Sequence, residues 1–136
     1  QLHAHVLEDW GLDKLARRMR DELQEEMGHL DSFIARIIYL GGTPELKMAG
    51  TPVRATSLKG LFEADLKDET EAIRTYTNAA QEAQKNDDLG TRALLERVVT
   101  DEEAHQDSPQ TQRDLLDRVG EQNHAARFME TKPQEG

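Results

Sequence analysis

The spacing Glu-x-x-His occurs twice in this chain, as Glu26 with His29 and as Glu102 with His105, and both copies lie in long stretches of helical periodicity. On an α-helix of about 3.6 residues per turn, positions three apart sit roughly 60° from each other, so each copy offers one carboxylate and one imidazole to the same point. Two such pairs constrain the fold: they require helices that face each other across a shared interior. A four-helix bundle holding two iron or manganese ions is built this way, with further glutamates supplied by the other helices. Glu69, in Asp65-Leu66-Lys67-Asp68-Glu69, is the lone glutamate that fits this role.

Composition agrees with a cation site. The chain of 136 residues has 17 basic and 27 acidic residues, a formal charge of −10, which argues against nucleic acid and for attraction of cations. It contains no cysteine, so disulfides, thiolate metal sites and iron–sulfur centres are excluded. No apolar run approaches the roughly 20 residues needed to span a bilayer, and no basic region followed by an apolar stretch opens the chain. The expectation is one soluble, cytoplasmic domain over residues 1–136 with a single core.

Leu15, Met19, Leu23, Met27, Leu30, Ile34, Ile37 and Ile38 recur at three- and four-residue steps, which predicts a helix over 12–40 that Gly41-Gly42-Thr43-Pro44 stops. The following stretch, with Pro44, Gly50 and Pro52, reads as a crossover loop. Ser57 suits the cap of a helix over 57–85, Asn86-Asp87-Asp88 a polar break, and 89–119 the next long helix, ended by Gly120. A short fifth helix is expected over 121–129, and a frayed tail over 131–136. Residues 1–10 read as the last turns of a first helix with Trp10-Gly11 as its corner, so the expectation is either a chain that lacks the start of the natural protein or a reduced bundle. The fold class is therefore all-α, a four-helix bundle with a long crossover and a short C-terminal helix, which is the ferritin-like topology.

Met27 points elsewhere. It lies about 100° around the helix from Glu26 and about 160° from His29, away from the metal pair. A methionine there either packs against a second subunit or gives its thioether to a haem iron on a dimer axis. Of the remaining residues, His3, His5 and His124 read as surface or interface residues. Glu22 and Glu25 read as a solvated face, with iron binding on an inner wall as the alternative. Trp10 reads as the plug of its corner, and Met19, Met48 and Met129 as packing residues.

The stretch Glu22-Leu23-Gln24-Glu25-Glu26-Met27-Gly28-His29, followed by Ile37-Ile38-Tyr39-Leu40-Gly41-Gly42-Thr43-Pro44, resembles the second helix of bacterioferritins. Glu63-Ala64-Asp65-Leu66 leading to Glu69, Asp101-Glu102-Glu103-Ala104-His105, and the segment from Asp114 to Asn123 are similar to that family's later helices. The resemblance implies a hollow, 24-subunit cage built from dimers that oxidises ferrous iron and stores the ferric mineral, with haem b between paired subunits and a ferredoxin-type electron donor. It also implies the ligand set of a di-iron centre. Glu26 and Glu102 would bridge, His29 and His105 would each cap one iron, Glu69 would be terminal, and Met27 would be the axial haem ligand.

Two departures accompany the resemblance. The family's remaining terminal glutamate would fall roughly two turns before Gln1, and Asp107-Ser108-Pro109-Gln110 stands where the family usually has an aromatic residue and Leu. Pro109 removes the helix hydrogen bond to the carbonyl of His105, a change of about 3 kcal/mol or a kink. Two rivals share the pattern: a non-storage di-iron oxidase or peroxidase of the rubrerythrin kind, and a structural or haem-binding cage subunit with an inactive metal site.

Overall fold

In a computed structural model, residues 1–48 and 50–129 are described; the expected tail lies outside them. The described residues form five helices and no strand: α1 (Leu2–Asp9), α2 (Asp13–Tyr39), α3 (Leu58–Lys85), α4 (Leu89–Val119) and α5 (Glu121–Ala126). None is long and apolar enough to cross a membrane.

The corners explain where the helices stop. Gly11 adopts φ +74°, and the Gly11 and Leu12 amides donate to the carbonyls of Glu8 and Leu7 at 2.9 and 2.8 Å. This doubly bonded turn satisfies two carbonyls that the end of α1 would otherwise leave open, and its left-handed residue suits glycine. Gly41 repeats the arrangement at φ +81° after α2, with bonds from Gly41 and Gly42 to Ile38 and Ile37. Ser57 caps α3, its hydroxyl accepting from the Gly60 amide at 3.0 Å, and Asp88 caps α4 by accepting from the Thr91 amide at 3.0 Å.

Helices α3 and α4 pack along their length, and α1 folds back against α2. Leu7, Leu12, Leu15, Ala16, Leu58, Leu61, Phe62 and Leu116 form the apolar core, gathered where the α1–α2 corner, the start of α3 and the end of α4 meet. Trp10 packs against this cluster, partly exposed, as does Met19. At the other end Arg36 of α2 donates to Asp88 Oδ1 at 2.6 Å and Thr91 Oγ1 at 2.9 Å, tying α2 to the α3–α4 corner.

Several details differ from the expectations. The fifth helix ends at Ala126 rather than 129, because the Arg127 and Phe128 amides turn back to the carbonyls of His124 and Ala125, the tighter three-residue bonding that closes helices. Helix α4 continues unbroken through the buried Pro109. Met48 and Met129 are exposed rather than packed. His124, expected at the surface or in an interface, is completely buried within the subunit.

Candidate metal centre

The middle of the bundle is polar where a purely structural bundle would be apolar. Helix α2 brings Glu26 and His29, α3 brings Glu69, and α4 brings Glu102 and His105, and these five side chains converge. Ligand atoms of Glu26, His29 and Glu102 lie within 4.8 Å of one another, as do those of Glu69, Glu102 and His105. Glu102 belongs to both groups and is only 2% exposed.

The two imidazoles are oriented alike. His29 Nε2 hydrogen-bonds to Asp101 Oδ2 at 3.1 Å, while its Nδ1 faces Glu26 Oε2 at 3.5 Å and Glu102 Oε1 at 3.7 Å. His105 Nε2 bonds to Glu25 Oε2 at 2.8 Å, and its Nδ1 faces Glu26 Oε1 at 3.2 Å and Glu102 Oε2 at 3.7 Å. A carboxylate on Nε2 fixes the proton there and leaves Nδ1 as a lone pair directed inward. Glu26 Oε1 and both Nδ1 atoms are buried without a hydrogen-bond partner, and buried polar atoms left in this way call for an explanation such as a bound ion.

Electrostatics agree with the geometry. Burial, then a hydrogen bond and the charge of Glu102, push the Glu69 carboxyl up to about 9. Burial and the nearby Glu102 raise Glu26 as well. Burial disfavours the charged form of His105, but the hydrogen bond it donates to Glu25 and the charges of Glu26, Glu22 and Glu102 outweigh it, so its pKa is raised. Tyr76, whose ring lies 5.4 Å from that of Phe33, is raised by burial and by the charges of Glu102, Glu26 and Glu69. Crowded carboxylates that protonate for want of positive charge make a site that exchanges protons for metal.

A ferritin-like domain model matches residues 1–119 of the chain. Bacterioferritins of Rhodobacter capsulatus and Brucella melitensis are 38% and 39% identical to it, over 91% and 90% of this chain and 77% and 76% of theirs. This chain belongs to the bacterioferritin family. A further member, from Mycobacterium tuberculosis, is 32% identical over 97% of this chain and 83% of its own. The solved structure of Rhodobacter capsulatus bacterioferritin superimposes with a TM-score of 0.90 at 36% identity, covering 98% of this chain and 82% of that one. That structure is described as having a metal-free dinuclear site and a haem iron in a crystallographic special position.

Around the bacterioferritin-type centre, two participants escaped sequence reasoning. Glu25, read as part of a solvated face, is largely exposed yet bonds to His105. Asp101 does the same for His29. Each stands four residues before the histidine of its own helix, so the sequence suggests contacts within a helix. The structure crosses them, each carboxylate reaching the histidine of the opposite helix. Met27 lies apart from the centre and is 53% exposed, beside the exposed Leu30 on the same helix. His3 bonds to Asp65 Oδ1 at 2.9 Å, whereas His5 stays at the surface.

Proposed function

We propose that this chain is a subunit of a homo-oligomeric, iron-storing cage that oxidises ferrous iron at the α2–α3–α4 centre and retains the ferric product. The observation that carries this reading is Glu102, a buried carboxylate shared by two groups of metal-ligating side chains. Glu26 and Glu102 bridge a pair of ions, His29 and His105 each hold one through Nδ1, and Glu69 completes the position beside His105. Iron is the substrate here: each ferrous ion passes one electron to dioxygen or peroxide and becomes ferric. The protein's part is to supply hard oxygen and borderline nitrogen donors and to give up the Glu69 proton as a cation arrives. It also holds both imidazoles in the tautomer that presents Nδ1.

Met27 is the residue that would ligate haem b on a dimer axis, one thioether from each subunit. The exposure of Met27 and Leu30, with Ile37 and Ile38 further along the same helix, supports pairing of subunits there, since apolar patches of this kind mark association surfaces. Haem so held supplies an electron path into the cage. A 24-subunit assembly in the cytoplasm, served by a ferredoxin-type donor, completes the reading.

The test is anomalous scattering at the iron edge from crystals soaked in ferrous salt. Two peaks per subunit flanking Glu102 are expected, together with a particle mass near 24 copies. Absence of metal from this cluster would overturn the assignment.

A further inference from the structure

We propose that His124 is a pH-sensitive latch that seats helix α5 on the end of the bundle when neutral and releases it when protonated. Its side chain is completely buried between two aromatic rings, Phe62 of α3 edge-on at 5.8 Å and Phe128 at 5.1 Å. Nε2 lies 2.8 Å from Gln112 Oε1 of α4, and an amide oxygen can only accept, so Nε2 carries the proton. Nδ1 is buried without a partner. A bare lone pair in that position is tolerable, but a second proton would be a buried cation with no acceptor.

The charged groups acting on His124 leave this preference in place. Burial holds its pKa below the ordinary histidine value, Arg127 of the same segment adds to the effect, and Glu121 opposes it. Helices α3 and α4 present Phe62 and Gln112, neither of which titrates. From α2, Lys14 Nζ reaches the Arg127 carbonyl at 3.5 Å and its amide reaches the Phe128 carbonyl at 3.4 Å. Glu121 Oε1 also accepts from the Leu58 amide at the start of α3, at 3.3 Å. The seat therefore consists of His124, two backbone tethers and one cap, and it covers Phe62 of the core.

The direction follows from linkage. Released α5 binds a proton with an ordinary histidine pKa, and seated α5 binds it only at lower pH. Seating is complete above about pH 6.5 and weakens up to tenfold per pH unit as pH falls below it.

Hydrogen exchange of the full chain, corrected for intrinsic rates, tests this. Protection of residues 121–128 in the wild type should fall about fivefold from pH 6.5 to 5.5 relative to α3, and His124→Phe should abolish that slope. Gln112→Glu places a negative charge against Nε2 that offsets the charge of the imidazolium and should keep α5 protected at pH 5.5. A wild-type protection independent of pH, or a His124→Phe slope equal to the wild type's, would overturn the latch. Should His124→Phe fail to seat α5 at any pH, the decision passes to Gln112→Glu, and a profile coinciding with the wild type's would overturn it.

Discussion

The rings of His29 and His105 stand 6.5 Å apart, each with Nε2 held by a carboxylate of the opposing helix and Nδ1 turned toward Glu26 and Glu102. The carboxylates of Glu26 and Glu102 lie against both Nδ1 atoms. The crossing of the outer partners links α2 to α4 twice through the centre.

Removing either outer carboxylate should loosen metal binding without dismantling the bundle. Asp101→Asn and Glu25→Gln keep shape but weaken the hold on the Nε2 proton, and such partners are typically worth about 10- to 100-fold in metal affinity. Competition titration with cobalt(II) against a chromophoric chelator measures the loss. Unchanged affinity in both variants would remove these residues from the site.

Glu69 gives the metal-free protein an unusual pH profile. Its carboxyl keeps a proton up to about 9 in the folded state, whereas the unfolded chain loses it near the ordinary 4.5. Between those values the folded state binds more protons, so this group makes stability fall as pH rises. Glu69→Gln should remove that dependence. Its melting temperature without metal should exceed the wild type's at pH 8 by more than at pH 5, while its capacity for metal drops. Scanning calorimetry at the two pH values checks the sign.

Met27→Leu conserves volume and removes sulfur, a substitution that usually costs less than about 1.5 kcal/mol. The bundle should fold normally and any haem absorption band should disappear. A band that persists at wild-type intensity would assign haem to another ligand.

Ser57→Ala deletes the hydroxyl that accepts from Gly60 and should cost about 1 kcal/mol of stability, read as a shift of the denaturant midpoint with unchanged slope.

How legible this chain is depends on the length of its periodic segments. The interior of α2 and α4 could be read because a face repeated over many turns fixes which side chains share a direction, and the doubled Glu-x-x-His rides on that face. Glu25 and Asp101 could not be read, because each neighbours one histidine in sequence and the other in space, and only helix packing decides between them. His124 was misread for a different reason. Helix α5 has only six residues, too few for a periodicity to emerge, and the polar Glu121-Gln122-Asn123 before it resembles a surface turn. Resemblance to bacterioferritins suggests the roles that spacing left open, above all the proposed haem ligation by Met27.

The apolar core is gathered at one end of the bundle, while the middle is occupied by carboxylates that repel one another. An ion that binds only the folded form raises stability by about 2.7 kcal/mol at a hundred times its dissociation constant. If the centre takes up its ion, the subunit's lifetime is expected to follow its cargo: chains without metal keep the repulsion uncompensated and should be cleaved by proteases sooner than loaded ones.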